Sequence, residues 1–206
     1  MVRRGLLELR HDAPATETST GDTFSPAFGA QLRERIQRIV GAPGERAKVL
    51  VVPANEEASE GFRSWLARIP GADVAASEPS PPPVGSLGFL GVDGALGIEW
   101  VQAPAGERFS AVWPLAAHGA IATVFLHAGP LPDSLRDVGR AYEQLGALPR
   151  GRTLHVLFQE KETQGSAAEL CEALALFDEQ TALEVPIGDE GPPIRAMGEL
   201  LGRILV

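Results

Sequence analysis

This chain is poor in cysteine and in aromatic residues, and it has no long hydrophobic run. Cys171 is its single cysteine, which excludes an internal disulfide and a cysteine-based zinc site and is typical of a reducing compartment. No apolar run is as long as a membrane span, and residues 1–10 lack the apolar core of a signal peptide. We therefore expect a cytoplasmic protein without a membrane span.

Basic residues are also scarce, with 18 Lys and Arg against 27 Asp and Glu and a net charge of −9. Nucleic acids and anionic membranes are bound by clustered cations, so this balance argues against both as partners. The 206 residues, 44% of them hydrophobic, are enough for one α/β domain with a core and a modest extension.

Three segments can be distinguished along the chain. Residues 1–25 are polar and lack periodicity after a short leucine-rich start, which predicts a flexible arm. Residues 26–46 contain a predicted amphipathic helix, because apolar residues recur at helical spacing from 28 to 40. Residues 47–206 form the predicted domain.

Short apolar runs alternate with helical patterns through this domain. Strands are predicted at 48–52, 87–92, 95–101, 121–126, 154–158 and 183–185, and helices at 56–69, 133–145, 166–177 and 193–205. The pair Asp93-Gly94 predicts a type I′ turn that joins two strands in an antiparallel hairpin. The proline-rich stretch 70–85 predicts an extended loop that separates elements without packing.

This order predicts an α/β fold of three layers. Its sheet is expected to be mostly parallel and six-stranded with one antiparallel hairpin, and the helix at 28–40 is expected to extend the domain at its N-terminal side.

Residues 102–109, after the hairpin, resemble the Asp-x-x-Gly-Gln switch of Ras-like small GTPases. Gln102 stands in place of the magnesium-side Asp, Ala105 in place of the Gly and Gly106 in place of the water-positioning Gln. The resemblance extends from about Lys48 to the C-terminus and implies the small GTPase fold, with the hairpin as its second and third strands. The framing residues that match are Pro104, Glu107, Arg108 and Phe109.

The resemblance also places the phosphate loop of the family just after the first strand. In that loop, glycines, backbone N–H groups, a Lys and a hydroxyl residue hold phosphates and magnesium. This chain has Pro53, Ala58, Ser59 and Glu60 at the corresponding positions. Because Glu56 and Glu57 lie nearby, we expect phosphate to be repelled. The alternative interpretation, that these acids are only solvated residues of a helix's first turn, also predicts poor phosphate binding.

The guanine-recognition motif corresponds to residues 159–162, where Gln159 and Glu162 replace Asn and Asp. Two interpretations of Glu162 are left open: it pairs with a guanine edge, or it belongs to an exposed charged turn. The switch threonine has no counterpart in 70–86. The resemblance therefore implies a GTPase-like protein with degenerate nucleotide motifs and no bound cofactor.

Other chemistry receives weaker support from the sequence. The four histidines are scattered along the chain, so we expect neither a catalytic cluster nor a metal site. Ser166 is interpreted as a helix cap with Glu169, and Cys171 as a buried packing residue on the same helix.

The surface near the switch-like residues is the candidate interface, with Phe109, Trp113 and Leu115 as its members. For Trp113, core packing is an equally weighted alternative, whereas Trp65 and Trp100 are expected in the core. The helix at 28–40 and the leucine-rich start are further docking candidates.

Two main functions remain. The first is a catalytically inactive interaction scaffold or regulator. Its resemblance to bacterial stand-alone small GTPases implies a partner such as a Roadblock-type dimer or a true small GTPase. Self-association is left open. The alternative is a divergent nucleotide hydrolase with a non-standard pocket at the strand ends. A small-molecule binder that reuses this pocket is a third hypothesis.

Overall fold

The computed structural model describes residues 24–40, 46–75, 84–92, 96–146, 152–159, 165–176, 181–186 and 193–205. Most of the expected arm lies outside these ranges, as do the proline run, the Asp93-Gly94 turn and Glu162. No described helix is both long enough and apolar enough to cross a bilayer.

Helices and strands alternate along the described chain. The helices are α1 (Pro26–Val40), α2 (Glu56–Ala67), α3 (Trp113–Ala117), α4 (Leu131–Gly146), α5 (Ala167–Ala173) and α6 (Pro193–Leu205). The strands are β1 (Arg46–Pro53), β2 (Ala72–Val74), β3 (Gly85–Gly91), β4 (Gly97–Gln102), β5 (Ala120–His127), β6 (Arg152–Gln159) and β7 (Ala182–Pro186). A 3-10 helix at Glu107–Phe109 precedes α3.

The sheet has seven strands in the order β2-β3-β4-β1-β5-β6-β7. Strands β4, β1, β5, β6 and β7 run parallel to one another, so the predicted parallel part is confirmed. The predicted pair β3 and β4 is antiparallel, with Phe89 opposite Glu99.

The expected count of six strands was wrong, because β2 adds a second antiparallel pair at the edge. Gly71 has a φ of 77°, and this turn leads the chain from α2 into β2 alongside β3. The stretch after Pro70 therefore does pack, and Ala72 and Val74 contact the core. Three residues are too few for a strand pattern to stand out beside a proline-rich segment.

Alternation along β1 divides the core into two layers. Val49 and Val51 belong to the cluster that includes residues of α1, α2 and α6 on one face, whereas Leu50 and Val52 belong to the cluster with α3 and α4 on the other. Helix α5 covers the second face further along, above Leu157 of β6. The molecule is therefore a three-layer α/β structure, as predicted.

Helix α1 packs on the domain, where Leu32 and Ile36 are buried against the core shared with α6. Burial of each such side chain contributes roughly 1.5–3 kcal/mol. Leu32 and Ile36 are thus covered within the chain and are not open to a partner.

Candidate functional site

An open cleft of about 810 Å³ lies where β1 and β4 end and α2 begins. In open α/β sheets, ligands commonly bind at the carboxyl ends of parallel strands. The cleft brings together most of the sequence-predicted positions: Pro53, Ser59, Glu60, Gln102, Ala105 and Gly106. Ala58 does not line it and is buried in the core.

The predicted phosphate-loop positions form the start of a helix. Only Ala54 and Asn55 separate β1 from α2, so Ala58, Ser59 and Glu60 are helical. The Asn55 side chain accepts the Ala58 N–H at 2.9 Å, and its carbonyl accepts the Ser59 N–H at 3.3 Å. The Ala58 and Ser59 N–H groups, two of the backbone donors at this helix start, are therefore engaged within the chain.

The first turn of α2 carries an acidic surface. Glu56 and Glu57 are exposed there, and each acid in the first turn of a helix stabilises it by about 0.3–1 kcal/mol, while the exposed Glu60 follows in the next turn. Arg63, one turn further, donates to the Ala75 carbonyl at 3.0 Å. Glu56, Glu60 and Glu107 line the cleft together with Arg63 and Arg108, so acids outnumber cations by one in its lining.

A short hydrogen bond crosses the cleft floor, where the Ser59 hydroxyl donates to the Gln102 Oε1 atom at 2.6 Å. These two residues occupy the positions that the resemblance assigns to the phosphate-binding Lys and the magnesium-side Asp. Magnesium is usually bound through carboxylate oxygens, phosphates and water, whereas here a neutral amide oxygen is already paired.

The next two switch positions are filled differently. Ala105 is buried in the core beside Ala103. Gly106 has a φ of −58°, and a Cβ atom there would lie 3.6 Å from the Phe109 ring, which is an ordinary contact. Neither conformation nor space requires glycine at position 106, so the glycine there is not explained by sterics.

At the base-recognition positions, Gln159 ends β6 and its Nε2 atom donates to the Gly165 carbonyl at 2.8 Å. This bond joins the two ends of the segment 160–164, which includes Glu162 and lies outside the described residues. The Gln159 amide is therefore engaged by its own loop.

The candidate interface residues differ in exposure. Leu115 is 77% exposed, and it is the one large hydrophobic residue so exposed in the described part of the chain. Phe109 is partly buried, with the Arg108 guanidinium 4.7 Å from its ring centre. Trp113 is fully buried and its Nε1 atom donates to the Pro104 carbonyl at 2.8 Å, which decides for core packing.

Two histidines that appear scattered in the sequence meet in the core. The His127 Nδ1 atom lies 2.8 Å from the Ser134 hydroxyl, and its Nε2 atom lies 3.0 Å from His155 Nδ1. The pairing follows from β5 and β6 being parallel neighbours, with Phe125 opposite His155. The order of these two strands in the sheet was the signal that could have predicted the contact.

Burial keeps this pair uncharged. Desolvation lowers the pKa of His127 to about 4, and desolvation together with the neighbouring His127 lowers the pKa of His155 to about 3. Both rings are neutral at physiological pH, and the contact is structural.

The remaining candidates are also structural. Ser166 caps α5 in a capping box with Glu169, as predicted, and Cys171 is buried beside Leu170. Trp65 and Trp100 lie in the core, as expected. Within the described ranges, no three His, Cys, Asp or Glu side chains are grouped as metal ligands.

Comparison with known proteins adds no relative, because no protein-family model matches this sequence and no curated protein does either.

Proposed function

We propose that this chain is a catalytically inactive protein of small GTPase-like fold, which acts as a protein-interaction scaffold or regulator and does not bind GTP usefully. The observation that carries the proposal is the start of α2, which follows β1 after two residues and is capped by Asn55. A ligand phosphate would have to displace that cap.

Charge supports the same proposal. Phosphate sites combine free backbone N–H groups with a cation, whereas this helix start presents Glu56, Glu57 and Glu60. The neutral Ser59–Gln102 bond lies where the family holds magnesium. Without phosphate and magnesium ligands, the mechanism that cycles GTPase switch loops is absent.

The sheet is compatible with the small GTPase architecture, because an antiparallel hairpin adjoins β1 and parallel strands follow on its other side. The extra edge strand β2 and helix α1 are additions to that plan. We place the protein in the cytoplasm, where Cys171 stays a thiol.

Nucleotide binding is the first test. Isothermal titration of the full chain with GTP, GDP and ATP, each with Mg²⁺, is expected to give no saturable heat. A Kd of about micromolar or tighter for any of the three would overturn the proposal. A Ras-like GTPase stripped of nucleotide serves as the positive control.

The protein-interaction role needs its own test. Affinity purification from the native host is expected to retain a specific partner with the wild-type chain and to lose it with Leu115→Asp. Gln37→Asp is the charge-matched control, because Gln37 is an exposed residue of α1, which packs on the opposite face of the sheet. Equal recovery with both variants would contradict a role for Leu115. A Roadblock-type dimer and a true small GTPase are the partners we propose to examine first.

A divergent nucleotide hydrolase is the second candidate, and the cleft of about 810 Å³ at the strand ends favours it. Native mass spectrometry of the purified protein tests this candidate and the small-molecule binder together. A retained nucleotide, or release of phosphate from GTP, would favour the hydrolase over the scaffold.

A further inference from the structure

We infer that residues 102–118, here called the switch-like segment, are held in one conformation by contacts within the chain. The Trp113 indole is the internal latch of this segment and has the role that the bound nucleotide has in a GTPase. This inference rests on the proposed function, because it explains how a chain without GTP keeps one partner-facing surface.

The latch joins two points of the segment. Trp113 lies in α3 and is fully buried, and its indole N–H reaches back nine residues to the Pro104 carbonyl at 2.8 Å. Its ring belongs to the core cluster that includes Leu50, Val52 and Phe125 of β1 and β5. The segment is therefore fastened to the sheet by an apolar anchor and closed on itself by a hydrogen bond.

Both ends of the segment are fixed as well. At the start, Gln102 accepts the Ser59 hydroxyl, and the Ala103 N–H donates to the Val51 carbonyl. At the end, the Lys48 ammonium donates to the carbonyl of His118, the residue that caps α3. These contacts come from α2 and β1, which are rigid elements of the domain.

The middle of the segment adds local bonds. The Phe109, Ser110 and Val112 N–H groups donate to carbonyls three residues earlier, each at 2.9 Å. The Glu107 carboxylate lies 3.1 Å from the Arg140 guanidinium of α4, and this exposed pair contributes little.

Ligand-driven switches differ in one physical respect. The γ-phosphate and magnesium order the switch loops of a GTPase, and hydrolysis releases them. Each fixing contact described above is between protein groups, so nothing is released by hydrolysis. Leu115, two residues from the latch on the same helix, therefore stays exposed in a constant position.

The other tryptophans provide matched controls. The indole Nε1 atoms of Trp65 and Trp100 are buried and have no hydrogen-bond acceptor within the described ranges. Replacing Trp100 by Phe therefore removes similar volume from the core without removing a hydrogen bond, whereas Trp113→Phe removes both.

Hydrogen exchange of the wild-type chain without nucleotide is the first measurement. We expect the amides of Phe109, Ser110 and Val112 to exchange at least about tenfold more slowly than in an unstructured peptide. Exchange at the unstructured rate would overturn the inference, and this measurement stands even if a variant fails to fold.

The variants then test the latch itself. In Trp113→Phe, the same amides are expected to exchange about five- to tenfold faster relative to amides of β5, the factor that corresponds to one lost hydrogen bond. In Trp100→Phe, that ratio is expected to stay at the wild-type value. An equal change in both variants, or none in Trp113→Phe, would show that the indole N–H is not a latch.

Adding GTP with Mg²⁺ separates this inference from the proposed function. Protection that is present without nucleotide and unchanged by it supports both. Slower exchange of the segment on adding GTP contradicts the proposed function, whereas rapid exchange that GTP leaves unchanged contradicts the latch alone.

Discussion

At the residue scale, Gly97 shows how one missing side chain supports the hairpin. The Phe89 ring of β3 lies on Gly97 of β4, so that a Cβ atom at position 97 would fall 1.7 Å from the ring Cζ atom. The Arg46 guanidinium lies 5.4 Å from the centre of the same ring. Phe89 has to leave this place before any larger residue can enter.

We therefore predict that Gly97→Ala lowers the free energy of unfolding by about 1–3 kcal/mol, the usual cost of overpacking. Gly139→Ala is the matched control in α4, because no atom lies within 4 Å of the added Cβ. It is expected to raise stability by roughly 0.5–1 kcal/mol, since alanine favours helices. Urea unfolding measures both, and a Gly97→Ala chain as stable as wild type would contradict the packing.

The His127–His155 pair makes stability depend on pH. Each ring has an ordinary pKa of 6.5, and burial lowers the pKa to about 4 for His127 and about 3 for His155. Below pH 6.5 the unfolded chain therefore binds protons that the folded chain excludes. Stability is present in full above pH 6.5 and falls as the pH decreases towards 4.

The expected slope approaches about 1.4 kcal/mol per pH unit for each histidine once the unfolded rings are protonated. Urea unfolding at pH 7.5, 6 and 5 measures it. His155→Phe keeps a ring stacked near Phe125 and is expected to reduce the slope by roughly half. The centre of the Tyr142 ring also lies 5.3 Å from the centre of the His155 ring. An unchanged slope in the variant would show that the carboxylates govern the pH dependence.

At the element scale, α2 is the helix whose start determines the candidate site. Asn55 both caps this helix and donates through Nδ2 to the Ala128 carbonyl at 3.3 Å, which connects α2 to the end of β5. Asn55→Ala is expected to lower the free energy of unfolding by about 0.5–2 kcal/mol. Asn55→Ser retains a cap but loses the bond to the Ala128 carbonyl, so its free energy of unfolding should lie between those of the wild type and Asn55→Ala. Equal stability of the Ala and Ser variants in thermal unfolding would contradict the capping role.

The elements differ in how far the sequence predicts them. The strands around 48–52 and 121–126 and the helices around 56–69 and 193–205 were confirmed, because long periodic patterns report local burial. Strand β2 and helix α3 were missed, since three and five residues carry too little pattern. Their positions depend on partners elsewhere in the chain.

The candidate site follows the same division. The resemblance assigned Ser59 and Gln102 to one nucleotide site, and both line the cleft, because α2 follows β1 and Gln102 ends the neighbouring parallel strand β4. The sequence predicted a helix from residue 56, but not that Asn55 caps this helix or that Ser59 and Gln102 bond to each other. The two histidines were judged scattered for the same reason: contact between neighbouring strands is a tertiary property.

At the scale of the whole molecule, the cleft is formed by elements from both layers of the core. The two core layers meet at the carboxyl ends of β1 and β4, where α2 leaves on one face and the chain towards α3 on the other. A change to the cleft therefore affects α2, the sheet and residues 102–118 together. If the proposed function is right, creating a nucleotide site here requires more than replacing the residues that would touch a phosphate.

The combined variant Pro53→Gly, Ala58→Gly and Ser59→Lys tests this view. We expect it not to bind GTP tightly, because Glu60 still replaces the hydroxyl residue, Gln102 still replaces the magnesium-side Asp, and Asn55 still caps the helix. We also expect it to be less stable, since glycine within a helix costs about 1 kcal/mol and Ser59 loses its bond to Gln102. Titration with GTP and Mg²⁺, with phosphate release followed over hours, measures the outcome. The Ser59→Lys single variant is the control for added charge alone, and brisk hydrolysis by the triple variant would show that the magnesium side of the cleft had been intact.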